Sequence, residues 1–397
     1  MAAVPTFLTK TFLESTLEKH FKRDVKILNI VASDAVGRCE NYASLLLRLH
    51  ITFLHKNGDN TQKLSIIVKT LPQGDELTYL MATTKGFETE LGIYGELLPV
   101  ISNLGNDQKL FAKPLGTYFN PRPTILLEDL TSIGFKMYQS EEGLDLTHCL
   151  LIIEKLAYLH AASVTIYEKT PDLITKYKTG LYSRNPHFEQ QLRGSISSLI
   201  ELCEKTSELA QYANKISYDK ILEKAYLCMI PSTKFNVLNH GDTWIKNFMF
   251  SYDSNGELLD VVFLDFQFSL FSSPALDLHN FWTVSTSVNV KKNHEKNIFS
   301  HYHNALVHHL LTFQVSTPPP TIEELMTEVR LRACYSFVSS VISLPISLAK
   351  RKPSDTFYSF VNDGSEGSYR NRCFNNPKYL NNITQLLSFH DRLGVFD

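Results

Sequence analysis

The sequence predicts an α+β protein in which a small antiparallel sheet is followed by a larger, mainly helical part. Three observations carry this reading. Residues 25–72, "VKILNIVASDAVGRCENYASLLLRLHITFLHKNGDNTQKLSIIVKTLP", alternate apolar and polar positions and are broken by "NGDN". From Thr147 to Ser163, "THCLLIIEKLAYLHAAS" has the apolar density of a buried helix, and residues 185–229 continue mostly helical. Beyond Pro274, helical periodicity fills 274–314 and 321–350, with "TPPP" between them and a capping-box pattern at Thr321 and Glu324. A chain of 397 residues also exceeds a comfortable single core, so at least two subdomains are expected.

Taken in order, an amphipathic helix is expected at about 7–21 ahead of the sheet. Residues 78–98 carry Phe87, Leu91, Tyr94 and Leu98 at helical spacing, and Pro99 should stop that helix. "FAKPLGTYF" and "PTILLEDL" read as two more strands, the second ending at Glu128 to Leu130 before a gap containing Gly134. The boundary is expected there, dividing the chain into 1–130 and 131–397. Set into the second part is a hairpin, "KFNVLNHGD" then "NFMFSYDSNGELLDVVFLDFQFS", with its turn at Ser254–Gly256. No internal repeat or low-complexity tract is visible.

Composition narrows the partners. Hydrophobic residues make up 43% and charged residues 20%, the balance of a folded domain. A formal net charge of -2 argues against a nucleic acid or an anionic membrane surface and leaves a small molecule as the default partner. The N-terminus, "MAAVPTFLTKTFLESTLEKHF", mixes acids and bases into its apolar pattern, unlike a secretory signal. No run reaches the roughly 18 apolar residues of a membrane helix. Six cysteines without a CxxC pair fit the cytoplasm better than a disulfide scaffold. "NIT" at Asn382 has the form of a glycosylation sequon, which a cytoplasmic chain would not use. Oligomeric state is not legible.

The chemistry is concentrated in "NHGDTWIKNFMF", residues 239–250. Transfer of a phosphoryl group to a hydroxyl needs a carboxylate to take the proton and hard oxygen ligands for Mg²⁺ beside the nucleotide phosphates. Asp242 and Asn247 have the five-residue separation of the catalytic aspartate and metal-binding asparagine in the kinase loop HRDxxxxN. A second aspartate, Asp265, ends the apolar strand of "VVFLDFQ", where kinases place the aspartate of DFG, with Gln267 in place of the glycine. "LSIIVKTLP" puts Lys69 at a strand end, and "FETE" puts Glu90 on the next helix, the pairing that holds the α and β phosphates. Singly, each has a plainer reading: HGD as a turn, Lys69 as a snorkelling lysine, Glu90 on a solvated helix face. Their common order favours the kinase reading.

Together "GRCENYASLLLRL", "IIVKTLP", "FETELGIYGELLP", "ILLEDL", "KLAYLHAAS", "NHGDTWIKNFMF" and "LDFQFSLFSSPALDLHNFW" resemble the insect ecdysteroid-kinase-like family, relatives of choline and aminoglycoside kinases, over about residues 30–285. The resemblance implies a bilobal protein-kinase-like fold, with a small antiparallel-sheet N-lobe and a larger mainly helical C-lobe. ATP is the implied donor, Mg²⁺ the implied cofactor, and a hydroxyl of a small organic molecule the acceptor. By the same resemblance Asp242 is the catalytic base, Asn247 and Asp265 are magnesium ligands, and Lys69 with Glu90 is the phosphate-holding ion pair. "ENYAS" takes the place of the glycine-rich nucleotide loop, so that Asn41 or Ser44 would donate side-chain hydrogen bonds. Adenine would meet backbone groups of Glu128, Asp129 and Leu130.

His240 reads as a loop-orienting residue, since Asp242 already fills the base role. Asp277 reads either as a brace of the catalytic loop or as an acid at a helix start. The histidines of "SHYHNALVHHLLTF" lack HExxH spacing and read as a solvated helix face. Other readings stay open: a pseudokinase or ligand-binding protein that has lost turnover, or a choline/aminoglycoside-type kinase. A protein kinase fits less well, since no APE segment follows "LDFQ". For the acceptor, the residues after Pro274 offer few acids to hold a cation, which favours a neutral, largely apolar molecule such as an ecdysteroid or xenobiotic, with Phe281 and Trp282 either covering it or packing a core.

Overall fold

The computed structural model describes residues 4–35, 44–55, 60–71, 85–105, 108–140 and 142–397. The chain forms two compact units, Met1–Met137 with Met249–Gln267, and Tyr138–Phe248 with Phe268–Asp397.

The first unit is built on a five-stranded antiparallel sheet in the order β1-β2-β3-β5-β4. Its strands are β1 (Val25–Asp34), β2 (Leu45–His55), β3 (Gln62–Thr70), β4 (Pro114–Tyr118) and β5 (Thr124–Glu128). Alternation along the strands sends Leu47, Leu49, Ile51 and Phe53 of β2 inward together with Ile66, Val68 and Leu126. The helix Lys10–Phe21 closes this core with Leu13 and Leu17. Thr9 caps it by accepting from the Phe12 N–H at 3.1 Å.

The next helix departs from expectation at its end. Gly86–Gly92 is followed by a π turn, Ile93–Leu97, and the helix resumes as Leu98–Ser102, so Pro99 lies in the first turn of a helical segment and does not terminate one. The π turn shifts the hydrogen-bond register just ahead of this proline, the Leu98 N–H reaching back to the Ile93 carbonyl, and the proline has no N–H of its own to place. The part of this helix expected at 78–84 lies outside the described residues.

The hairpin also groups differently from its place in the sequence. β8 (Phe248–Tyr252) and β9 (Leu258–Phe263) form a sheet with β6 (Lys136–Met137) in the order β6-β8-β9, and Phe263 bridges Phe111. These backbone pairings place residues 249–267 in the sheet unit, which runs to Met137 before it breaks. The turn falls at Asp253–Glu257, where the Asp253 N–H donates to the Glu257 carbonyl. β7 (Val237–Asn239) pairs instead with β10 (Leu270–Ser272), a strand that periodicity did not reveal.

The second unit is helical. Leu146–Lys169 is buried almost continuously from Ile152 to Ile166 and packs on Glu295–Thr312. Among the described residues it is the one single helix long and apolar enough to cross a membrane, and 83% of that window is buried, which makes it a core helix here. Ala275–Val284 is buried at every position and lies against Ala333–Leu348, which in turn meets Pro377–Arg392. Residues after 315 therefore build much of this core. The capping box at Thr321 and Glu324 is present. One sequence reading is corrected by burial. His309 is not on a solvated face, since it is buried against Glu154 at 2.9 Å and against the Tyr158 ring. Asn382 is also buried, and its amide donates to the Lys378 carbonyl, which leaves no site for a glycan.

Candidate active site

Lys69 sits on β3 between Leu46 of β2 and Ile125 of β5, on the sheet face opposite Ile66 and Val68, and is only 4% exposed. A buried ammonium needs partners. It has two: Glu90 Oε2 at 2.6 Å and Asp265 Oδ1 at 2.8 Å. Glu90 is brought there by the helix Gly86–Gly92, and Asp265 follows β9. Asp265 adopts φ +63°, a left-handed conformation that costs a non-glycine residue on the order of 1 kcal/mol, and the ion pair is the contact that holds it there. Two carboxylates share one cation. Burial opposes the charge on Lys69, but Asp265 and Glu90 outweigh it and raise the lysine above its ordinary range. Burial also pushes Glu90 up to about 7; Lys69 pulls against this and Asp265 adds to it. The two shifts agree once the third member is counted, because the lone cation leaves one negative charge uncompensated and Glu90, the more deeply buried acid, bears the cost.

The segment His240–Asn247 belongs to the helical unit and is held by different means. The Asp277 carboxylate, wholly buried in the first turn of Ala275–Val284, accepts from the His240 N–H at 2.6 Å and the Gly241 N–H at 2.8 Å. Both readings of Asp277 thus describe one side chain: it stands at a helix start and it grips this loop. Gly241 is obligatory, with φ +83° and a hypothetical Cβ only 2.0 Å from the Phe268 carbonyl oxygen. His240 accepts from the Asp242 N–H at its Nδ1, 3.3 Å away, and its carbonyl accepts from Ser269 Oγ. Asn247 closes the loop, its amide donating at 2.9 Å to both the Asp242 carbonyl and Asp242 Oδ2. Those bonds use the amide nitrogen and fix which way Asn247 Oδ1 faces. Asp242 itself is half-buried.

Of the nucleotide residues expected in the sheet unit, Asn41 lies outside the described residues, as does Gly37. Ser44 is described and buried at the start of β2. Glu128 ends β5, its N–H donating to the Lys113 carbonyl and its Oε1 accepting from Lys109 Nζ at 2.5 Å. Asp129 and Leu130 enter a short 3-10 turn, Leu130–Ile133, capped by the Asp129 side chain. Gln267 is buried, and its Oε1 has no hydrogen-bond partner among the described residues.

Of the two readings left open for Phe281 and Trp282 the core is the one observed, and two buried residues join the site. Phe281 and Trp282 do not face an acceptor: they are 0% and 1% exposed, with Phe281 against Phe248 and Trp282 between Phe299 and Phe389. Periodicity marked them as apolar but could not say which neighbours would cover them. Sequence reasoning also passed over His160 and Tyr302. His160 Nε2 lies 3.1 Å from Asp277 Oδ2 and its Nδ1 lies 2.7 Å from the Tyr302 hydroxyl, all three fully buried. Asp277 therefore has a third donor besides the two loop amides. The one available signal was a histidine inside the otherwise apolar "KLAYLHAAS".

Comparison with known proteins adds to this geometry. An amicoumacin kinase, hAmiN, solved in complex with AMP-PNP, Ca2+ and Ami, is similar at 14% identity with a TM-score of 0.37, covering 84% of this chain and 89% of that one. No curated protein sequence matches. The model of the ecdysteroid kinase-like family matches residues 38–315, a span that holds Lys69, Glu90, Glu128 to Leu130, His160, the 239–250 segment, Asp265 and Asp277. With well over half its length matched, and with kinase-type residues paired as described, the chain belongs to the ecdysteroid kinase-like family.

Proposed function

We propose that the protein is an ATP-dependent small-molecule kinase that transfers the γ-phosphate to a hydroxyl of a neutral, largely apolar acceptor of ecdysteroid or xenobiotic type. The observation that carries the reading is the Lys69–Glu90–Asp265 cluster, since a buried lysine held between two carboxylates is costly to fold and is useful for gripping phosphates. Family membership supports kinase chemistry of this kind. The free, buried state of the five described cysteines suits a cytoplasmic enzyme.

In this reading Lys69 binds the α and β phosphates, and Glu90 keeps its ammonium aimed. Asp242 accepts the proton of the acceptor hydroxyl as its oxygen bonds the γ-phosphorus and the bond to the leaving ADP oxygen breaks. Asn247 orients the Asp242 carboxylate through the bond to Oδ2. Asp265 and Asn247 each offer a hard oxygen donor of the kind that suits a magnesium ion arriving with phosphate oxygens and water. When bound, Mg²⁺ would neutralise phosphate charge; Asp265 and Asn247 would hold it.

The neutral acceptor class rests on the family resemblance, since Ala275–Val284, whose few acids suggested it, is buried at every position and its Asp277 is committed to the loop amides and to His160. The test is ATP consumption against hydroxylated steroids, glycosides, phenolics, choline and an aminoglycoside, with mass detection of phosphorylated product. Efficient phosphorylation of choline or the aminoglycoside alone would overturn the acceptor class. Nucleotide binding without turnover on any acceptor would favour the pseudokinase reading.

A further inference from the structure

The segment expected to meet adenine is locked by a group that the kinase motifs do not include. Asp129 leaves β5 in an extended conformation and caps the turn that follows by accepting from the Thr131 N–H at 3.2 Å. Its carboxylate has no oxygen to spare. Arg48, from β2, donates through Nε to Oδ2 at 2.8 Å and through Nη2 to Oδ1 at 3.3 Å, and Ser65, from β3, donates to Oδ2 at 2.7 Å. Arg48 Nη2 also reaches Thr131 Oγ1 at 3.2 Å. The Asp129 carbonyl accepts from the Ser132 N–H and hydroxyl, and the Leu130 carbonyl from the Phe135 N–H. Asp129 is 5% exposed, and although burial disfavours its charge, Ser65 and Arg48 hold its pKa below the usual carboxylate range.

This is more than a turn needs. A cap requires one acceptor, whereas here two neighbouring strands are tied to one carboxylate by a forked arginine, whose planar geometry fixes direction as well as distance. Rotating the peptide groups of Glu128 to Leu130 would break the fork, the Ser65 bond and the cap at once. Recognition of a base edge by backbone groups depends on such fixity, because a misdirected N–H or carbonyl neither bonds the base nor discriminates between bases. Lys109 and the Lys113 N–H hold the preceding residue by the same logic through Glu128 Oε1, at 2.5 and 2.6 Å.

We propose that Arg48 is a positioning residue for the nucleotide base, acting through Asp129, so that neither side chain touches the nucleotide and both set its affinity and base preference. The inference rests on the kinase reading above. Its test uses the full-length protein, with fluorescent mant-ATP binding, competition by ATP and GTP, and melting temperature. Arg48→Met leaves the buried Asp129 carboxylate without its cation and Asp129→Asn leaves the half-buried Arg48 without its anion, so each should lower both melting temperature and ATP affinity. The double variant Arg48→Met/Asp129→Asn removes both charges; its melting temperature should recover toward wild type while ATP binding stays about tenfold weaker and the preference for ATP over GTP narrows. Arg48→Lys, which keeps the charge without the fork, should fall between. A double variant with wild-type affinity and base preference would remove Arg48 from nucleotide recognition and leave it a stabilising residue. Wild-type protein that binds neither ATP nor GTP would instead remove the nucleotide reading itself, and the wild-type arm separates that outcome from the first.

Discussion

The sheet unit and the helical unit each hold an aspartate of the kinase pattern, and they hold it by opposite means. Asp265 is kept by charge, through an ammonium that it shares with Glu90. Asp242 is kept by geometry: the amides of His240 and Gly241 are anchored on Asp277, Gly241 tolerates no side chain, and Asn247 bonds back to the aspartate. A charge cluster can be rearranged when a phosphate or cation arrives, since its energy varies smoothly with distance and ionisation. A loop tied through backbone amides has one arrangement. In the proposed function, the unit that would accommodate a nucleotide carries the adjustable device, and the unit that would present a base to an acceptor hydroxyl carries the rigid one.

The largest effect should come from the base itself. Asp242→Asn keeps the shape and the contact with Asn247 but removes the proton acceptor, so turnover should fall on the order of 10²- to 10⁴-fold with ATP affinity and melting temperature unchanged. Near-wild-type turnover in a preparation freed of contaminating kinases would take Asp242 out of the mechanism.

The rigid brace is the next to break. Asp277→Ala leaves two backbone amides and His160 without their acceptor in a fully buried site, which should cost about 3–5 kcal/mol of stability by denaturant titration and abolish turnover with it. A soluble variant that unfolds at the wild-type midpoint would show that the loop is held by other contacts.

Glu90→Gln should behave in the opposite way and so sharpens the contrast. Glu90 rises from an ordinary 4.5 to about 7 on folding, so the folded chain binds more protons than the unfolded one between these values, and the stability contributed by this group falls as pH climbs through that window. Removing the ionisable group should flatten that decline and leave the protein as stable as wild type, or more so, at pH 8, while ATP affinity drops roughly tenfold because Lys69 loses one of its two guides. A marked loss of stability at pH 8 would mean that the ionised Lys69–Glu90 pair stabilises more than its burial costs.

The helical unit should respond to pH with the reverse sign. Burial lowers His279 from 6.5 to about 4 and His390 from 6.5 to about 3. The unfolded chain therefore takes up protons first, and stability that is complete above pH 6.5 is lost as pH falls below it, by up to about 1.4 kcal/mol per pH unit for each histidine. His390→Gln, which offers an amide to Ser336 where the ring Nε2 now bonds, should reduce the acid slope without changing turnover at pH 7.5. An unchanged slope would place the acid-sensitive group elsewhere.

Much of this architecture is legible one residue at a time. The apolar run of "LSIIVKTLP" puts Lys69 at a strand end, helical spacing carries Glu90 onto the next element, and the HGD turn with its asparagine five residues on marks a loop before a strand. These are local properties, set by the periods of helix and strand and by glycine's freedom at Gly241, and they are written in neighbouring letters. Tertiary structure decided what depended on residues far apart in the chain. It joined Asp265 and Glu90 on one ammonium, spent Asp277 on the amides of residues more than thirty positions earlier, and added His160 and Tyr302 behind it. It closed Arg48 onto Asp129 across the sheet, and it buried Phe281 and Trp282 in a core that sequence alone left open to an acceptor. The physical reason is the same in each case: a side chain's hydrophobicity and charge are local, but its burial and its partner are set by which distant segment packs against it.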